Sequence, residues 1–199
     1  MSAIAMLALA GAMAAPIHKP IGPSDVERLA MMLDDEPAAA QVEILVDPQG
    51  QMANCQVIKV WGKPDDARKL CLFEGSKGWT PATTGDGKPS WGVIRDVLIF
   101  NAGRRVPREA ERLAATPEIE VFVGTLPAGR RQLDLSVALQ VAPGGKPLGC
   151  SPQADAAGLA AYARLACSEA MKLTLAGPTA PSEPYVIRQR VRFSVAGTG

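Results

Sequence analysis

One sequence pattern occurs twice in this chain, and it limits the possible folds more than any other feature. The pattern V-x-[IL]-x-V-x-P-x-G-x-x-x-x-C covers residues 42–55 and again residues 137–150, so the copies lie 95 positions apart (137 − 42). A fixed internal period indicates a repeated structural unit. In each copy, alternating apolar residues lead into a Pro- and Gly-containing turn, which predicts a strand entering a hairpin.

Each hairpin is followed by the same order of predicted elements. A return strand carries the cysteine, and a helix follows it, beginning at Pro64 in the first copy and covering about residues 154–173 in the second. The closing strands, residues 93–100 and 186–193, share V-I-R-x-x-[LV]-x-F. We therefore predict an α+β fold of two tandem units, each a small antiparallel sheet packed by one main helix.

The length of 199 residues suits two small domains. A capping-box pattern at Ser24 predicts a helix that ends at about Asp34, and apolar alternation predicts an additional strand at residues 118–124. We place the boundaries at residues 1–15 for a signal peptide, 16–101 for unit 1, 102–117 for a connecting segment and 118–199 for unit 2.

The N-terminus predicts export from the cytoplasm. Residues 1–16 carry no charged side chain, and residues 12–14 form a small-x-small cleavage site typical of secretory signals. The stretch is too short to span a bilayer. No Lys or Arg precedes it, which leaves open whether the natural start of the chain lies upstream of Met1. The alternative interpretation is a buried N-terminal helix.

The cysteine count of four also favours export, because even numbers of cysteines in exported proteins indicate disulfides. The repeat selects the pairing: Cys55 with Cys71 in unit 1, and Cys150 with Cys167 in unit 2. A zinc site is the alternative, but closely spaced C-x-x-C pairs are absent from the sequence. We therefore expect neither a metal nor a cofactor.

Catalysis and nucleic-acid binding are not indicated. The net charge is +1, without the excess of basic residues that binds nucleic acid. The only histidine, His18, lies in a Pro-rich lead-in and is expected to be solvated, so no Ser/His/Asp or Cys/His set can be assembled. Acids suitable for a carboxylate pair stand where helix starts and solvated faces normally place them: Asp65, Asp66, Glu109 and Glu111. The segment Gly85–Lys88 is expected to be a turn rather than a phosphate loop.

Residues 41–101 resemble the C-terminal domain of the TonB energy-transducer family. The resemblance rests on the hairpin pattern, the helix, the signature Trp79-x-Pro81-Ala82, and Gly-Lys-Pro at residues 87–89 before the last strand. A variant of that domain with one cysteine after the hairpin and one on the helix is also similar. The second unit keeps little of the Trp-x-Pro-Ala signature at residues 175–181.

The resemblance implies a peptide-binding function. Family members add a short extended peptide of an outer-membrane receptor as a strand to the sheet edge, using backbone hydrogen bonds for affinity and side-chain pockets for selectivity. Transferred to this chain, the candidate edges are the two closing strands. Their candidate peptide-binding residues are Val93, Arg95, Val97, Ile99, Arg188, Arg190 and Arg192.

Two other interpretations remain open. Arginines on an edge strand often serve only to prevent aggregation, so an acidic-peptide site competes with simple edge protection. A structural protein of the envelope is the second alternative, in which the closing strands pair with each other or are covered by residues 118–124. The chain shows neither a full-length membrane anchor nor a long Pro-rich spacer. We therefore expect a periplasmic binding or scaffold protein without an integral membrane span, whose partner is an outer-membrane receptor or another envelope protein.

Overall fold

The computed structural model describes residues 13–20, 22–33, 37–75, 78–100, 105, 107–153, 158–175 and 181–196. This part of the chain has the predicted α+β architecture, with four α-helices and ten strands. The strands are β1 Ile17–His18, β2 Ala38–Val46, β3 Met52–Trp61, β4 Trp79–Thr80, β5 Ala82–Thr83, β6 Pro89–Phe100, β7 Ile119–Val123, β8 Gln132–Val141, β9 Pro147–Pro152 and β10 Tyr185–Val195. The helices are α1 Pro23–Met32, α2 Pro64–Gly75, α3 Arg108–Ala115 and α4 Ala160–Ala170, and a short 3-10 turn covers Pro127–Gly129.

Eight of the described strands, from both halves of the chain, join in a single sheet, and β1 pairs with β4 in a separate two-stranded sheet. The prediction of two tandem units, each with its own antiparallel sheet, is therefore not confirmed. The order of the larger sheet is β3-β2-β6-β10-β8-β9, with β5 beside β6 and β7 beside β10. The central pair, β6 with β10, is parallel and spans only residues 91–93 against 185–187. The pair β7 with β10 is also parallel, and the other pairs are antiparallel. The two closing strands therefore meet at the middle of the sheet, and the hairpins lie at its borders.

Helices cover the sheet on both faces. One core cluster contains α2 together with Ile44 and Ile94, whereas another contains α4 together with Leu45 and Val93. Neighbouring residues of a strand point to opposite faces of a sheet. Because Val93 and Ile94 are neighbours that belong to different clusters, α2 and α4 pack on opposite faces.

Each main helix is bonded to the return strand of its hairpin. Cys55 on β3 forms a disulfide with Cys71 on α2, with a Cα–Cα distance of 5.9 Å. Cys150 on β9 forms a disulfide with Cys167 on α4, with a Cα–Cα distance of 5.6 Å. Both pairings predicted from the repeat are confirmed. Small sheets with little core gain stability from such bonds because each closes a loop of the unfolded chain.

The two hairpin turns make the same backbone contact with the loop after the helix. Gly50 and Gly145 have φ angles of 78° and 83°, which favour glycine. The Trp79 amide donates to the Gly50 carbonyl at 2.9 Å, and the Leu175 amide donates to the Gly145 carbonyl at 2.8 Å. Leu175 therefore occupies the place of Trp79 in the second half, although the sequence around it keeps little of the Trp-x-Pro-Ala signature.

Replacing Gly50 by alanine should destabilise the protein by roughly 2–3 kcal/mol, because an alanine would combine an unfavourable φ with a steric clash. A Cβ atom at this position would collide with the backbone carbonyl oxygen of Trp79. Gly87 is a matched control, since it has the same φ of 78° but nothing within 4 Å of a Cβ atom. Gly87→Ala should cost only about 1 kcal/mol in chemical denaturation. Equal losses would contradict the close approach of Trp79.

Two helix boundaries differ from the sequence prediction. Helix α1 starts at Pro23 with Gly22 as the N-cap, and the Asp25 carboxylate accepts the Gly22 amide at 2.9 Å. The capping role thus goes to Asp25 rather than to Ser24, because proline suits the first helical position. Helix α4 is shorter than residues 154–173, since Gly158 just before it has a left-handed φ of 76°. Residues 154–157 lie outside the described part.

The N-terminal segment, residues 13–18, is extended and lies on the sheet. Residues 1–12 lie outside the described part, so the predicted leader is not described for most of its length. Residues 13–18 contain the short strand β1 and an isolated bridge from Ala14 to Thr83. The alternative of a buried N-terminal helix therefore does not hold for these residues. Among the described helices, none is long and apolar enough to cross a membrane.

Candidate functional site

Strand β10, the second predicted binding edge, is occupied on both sides. Strand β8 pairs with residues 185–194 on one side. On the other side, β6 pairs with residues 185–187 and β7 with residues 191–195. Between these two stretches, the Glu118 amide donates to the Arg190 carbonyl at 3.1 Å, and the Arg190 amide donates to Glu118 Oε2 at 2.7 Å. Other segments of the same chain therefore occupy the backbone hydrogen-bonding groups on both sides of β10.

Strand β6, the first predicted edge, is occupied over only part of its length. It pairs with β2 through residues 92–100 on one side. On the other side it pairs with β5 at residues 89–90 and with β10 at residues 91–93. Within the described ranges, no strand pairs with residues 94–100 on that side. The Val97 amide donates instead to the carboxylate of its neighbour Asp96, at 2.8 Å.

This open edge faces a second open edge. Among the described strands, β7 pairs with β10 alone, and it lies on the same side of β10 as β6 does. Residues 94–100 of β6 and residues 119–123 of β7 thus border a gap in the sheet, which we call the notch. Hydrogen-bonding groups alternate in direction along an antiparallel strand, so the backbone groups of residues 95, 97 and 99 point into the notch together.

Two cavities lie at the base of the notch, one on each face of the sheet. The larger has a volume of about 330 Å³, with an apolar floor from Ile44, Ile94 and Leu98. Its other lining residues are Pro16, Ile17, His18, Glu74, Trp79, Asp96 and Arg188. The smaller has a volume of about 150 Å³ and is lined by Gln41, Arg95, Asp96, Val97, Leu113, Thr116, Pro117, Glu118 and Arg190. A strand added in the notch would place alternate side chains over the two cavities.

The four predicted site residues on β6 have different environments. Val93 is buried and paired on both sides, with Leu45 and Ile187, so its backbone is not part of the notch. Arg95 donates to Glu43 Oε2 at 2.7 Å and to the Leu175 carbonyl at 3.4 Å. Val97 is half-buried, and Ile99 is 38% exposed. The notch therefore brings together Arg95, Val97 and Ile99.

Two of the predicted arginines on β10 hold the chain that leads into β7. Arg190 donates to the Ala114 carbonyl at 2.6 Å and pairs with Glu118 at 3.3 Å. Arg192 donates to the Ala115 carbonyl at 3.2 Å. Both carbonyls belong to the last turn of α3, where cations interact favourably with the helix dipole.

The remaining contacts of these arginines are with acids of the same chain. Arg192 makes two hydrogen bonds to the Asp134 carboxylate, at 2.7 and 2.9 Å, and these bonds lower the pKa of Asp134. Arg188 is more exposed, and its guanidinium lies 3.9 Å from Asp96. Of the three arginines, Arg188 is the one that lines the larger cavity.

The acids considered for catalysis do not converge. Asp65 and Asp66 are on α2, where they pair with Arg68 and Lys69. Glu109 is on α3, which packs against the opposite face at Ala39, and Glu111 is on the same helix. Lys59 and the Trp61 indole donate to Glu109, and the Lys59 bond is the main cause of its lowered pKa. In the described residues, no group of three or more His, Cys, Asp or Glu side chains is placed to hold a metal.

His18 has a structural position that the sequence did not indicate. It was expected to be solvated, but its side chain is 21% exposed and its Nε2 atom lies 2.8 Å from Glu74 Oε2. Its ring contacts Trp79 edge-on, with a centroid distance of 4.6 Å. The pairing of β1 with β4 carries His18 to this place. No local sequence signal marks such a two-residue pairing.

Comparison with known proteins identifies no relative of this chain. No protein-family model matches the chain, no curated protein is significantly similar to it, and no solved structure matches its fold. The resemblance to the TonB C-terminal domain thus stays a prediction from the sequence.

Proposed function

We propose that this chain is an exported binding protein that receives an extended peptide of an envelope or outer-membrane transport protein as an added strand in the notch. The observation that carries the proposal is the one-sided pairing of β6 from residue 94 to residue 100. An edge with outward backbone donors and acceptors is a template for another strand. Arg95, Val97 and Ile99 supply that edge.

The second half of the chain offers an internal example of strand addition. Strand β7, with the sequence Ile-Glu-Val-Phe-Val, lies parallel to β10 over residues 191–195. The sequence pattern shared by the closing strands relates this part of β10 to the C-terminal part of β6. An extended segment of similar composition therefore fits the edge of β6. Peptide binding at β10 itself is not proposed, because β7 covers it.

The cavities on either side of the notch suggest the side chains that a bound peptide would carry. The floor of the larger cavity is aliphatic, and an aliphatic residue placed there would bury apolar surface on Ile94 and Leu98. The exposed pair Asp96 and Arg188 at its mouth offers one anion and one cation to polar groups of the peptide. Backbone bonds would provide affinity, and these cavities would provide selectivity.

Export is supported by the chemistry of the cysteines. All four are in disulfides, which form and persist in oxidising compartments such as the bacterial periplasm. The apolar N-terminal stretch agrees with secretion. The periplasm is therefore the compartment we propose.

Strand addition in the notch predicts a specific effect of proline. Val97→Pro removes a backbone donor that points into the notch and leaves the ladder with β2 intact, so the fold should survive and peptide affinity should fall at least tenfold. The probe is a synthetic peptide of residues 117–124, titrated into the full chain. Amide resonances of residues 94–100 should shift in the wild type and remain unchanged in the variant.

The control places the same substitution on β9, at an outer border of the sheet. Leu148 on β9 is 53% exposed, and Leu148→Pro should leave peptide affinity unchanged. Circular dichroism of both variants checks that each one is folded before the titration. If the peptide shifted only amide resonances of β10 and the contacts between β7 and β10 were lost, the peptide would have displaced β7. That result would contradict binding at β6.

A scaffold role is the second candidate. The pairing of β10 on both sides, by β8 and by β6 and β7, favours it. In a scaffold, the two closing strands serve only to join the halves of the chain. The same titration separates the candidates, because a scaffold would show no shifts in residues 94–100 at millimolar peptide.

A further inference from the structure

Part of the N-terminal segment, residues 13–18, is buried against the sheet. Met13 is 7% exposed and Ala15 is 4% exposed. Both belong to a small apolar cluster with Ala82, Ala138 and Val186. These partners come from β5, β8 and β10, so the segment contacts both halves of the chain. Such burial stabilises only while Met13 remains attached.

Hydrogen bonds at Met13 and Ala14 connect the same halves. The Ala14 amide donates to the Thr83 carbonyl at 3.0 Å, and the Thr83 amide donates to the Ala14 carbonyl at 2.9 Å. The Gln153 side-chain amide donates to the Met13 carbonyl at 3.1 Å. Removal of these two residues would leave the half-buried Thr83 and Gln153 groups without these bonds, which costs stability.

The segment also crosses the junction of the two closing strands. A Cβ atom at Gly92, which pairs with Val186 of β10, would collide with the Pro16 ring. Directly after Pro16, Ile17 and His18 form one wall of the larger cavity. The segment therefore extends from the junction of the closing strands to the border of this cavity.

The sequence pattern at residues 12–14 predicts a cut after Ala14, one residue before the end of the leader placed at residues 1–15. Either cut would remove Met13 and Ala14. We propose that signal peptidase instead hydrolyses the peptide bond between Ala12 and Met13. Water adds to this bond, leaving a carboxylate on Ala12 of the leader and a free amine on Met13. Ala10 and Ala12 then provide the small residues at the two positions that such a site requires. This inference rests on the export part of the proposed function and is independent of peptide binding.

Identification of the mature N-terminus tests the cleavage position. Residues 1–199, preceded by a short Lys-containing start, are expressed in a Gram-negative host, and the protein released from the periplasm is analysed by N-terminal sequencing and intact mass. A chain that begins at Met13 is the expected result. A chain that begins at Ala15, or one that retains the leader, would overturn the proposal.

Thermal unfolding tests the structural reason separately. A chain that begins at Ala15 should melt roughly 5–10 °C below a chain that begins at Met13, because it loses the burial of one large side chain and its hydrogen bonds. Met13→Ala should account for much of this shift. Met31 is the matched control, since it is 73% exposed and Met31→Ala should leave the melting temperature unchanged. Equal melting temperatures for the two starts would overturn the inference, whatever the outcome of the peptide titration.

Discussion

Removal of both disulfides should lower the free energy of unfolding by about 6 kcal/mol, the largest effect that we expect. The bridges close loops with sequence separations of 16 and 17 residues. In the chain-entropy description each such loop contributes about 3 kcal/mol, because the bond restricts the unfolded chain. A domain with a total stability of about 5–15 kcal/mol would lose a large share of it. A large unfolded fraction is then expected at physiological temperature.

Denaturant titration of three alanine variants measures this effect. One variant lacks Cys55 and Cys71, the second lacks Cys150 and Cys167, and the third lacks all four cysteines. Each single-bridge variant should lose about half of the total, and wild-type protein under reducing conditions should match the third variant. If only one of the two single-bridge variants lost stability, the bridge missing from the other variant would not constrain the unfolded chain.

Substitution of Arg95 by leucine should destabilise the protein by about 3 kcal/mol, because it leaves a buried carboxylate without its cation. Glu43 is 2% exposed and lies on the sheet face beneath the loop that carries Leu175. The Arg95 side chain is 32% exposed, so water reaches it from the notch. Glu43→Leu should therefore cost less, about 1 kcal/mol, since the remaining guanidinium can be solvated.

The double variant Glu43→Leu, Arg95→Leu completes the thermodynamic cycle. Its stability should lie within about 1 kcal/mol of the wild type, because apolar residues often replace a buried ion pair without loss. Urea denaturation of the four proteins gives the coupling energy. A double variant as unstable as Arg95→Leu alone would indicate that Arg95 acts mainly through its bond to the Leu175 carbonyl. In either case Arg95 has a positioning role in the sheet in addition to its place at the notch.

Local sequence patterns were sufficient for the hairpins, for helices α1, α2 and α4 and for the disulfides, but not for α3 or the two-residue strands β1, β4 and β5. The alternation around Val42 and Val137 predicted the two hairpins, and turn residues such as Gly50 marked their ends. The equal spacing of the cysteines after each hairpin identified the partners of Cys55 and Cys150. These features depend on residues close in sequence, or on a repeat that makes distant positions equivalent. For that reason the α+β class could be predicted without knowledge of tertiary contacts.

The candidate site could be predicted only in part. The sequence identified β6 as a possible binding edge and noted that the closing strands might be covered, but it did not distinguish β6 from β10. The same apolar, β-branched residues suit an open edge and a paired one. Arg190 and Arg192 illustrate this ambiguity. Only the structure shows that they donate hydrogen bonds to carbonyls of α3 and form ion pairs with two acids of the same chain.

The sequence by itself determined the hairpins, helices α1, α2 and α4 and the cysteine pairs, because periodicity and turn chemistry act over short separations. Only the tertiary structure decided which strand edges meet. Three features join distant parts of the chain: the parallel contact of residues 91–93 with residues 185–187, the position of β7 on β10, and the packing of Met13 against residues of the sheet. Backbone hydrogen bonds are the same for every partner strand, so their pairing is selected by shape and burial in the folded molecule. That selection closed the edge of β10 and left part of the edge of β6 open.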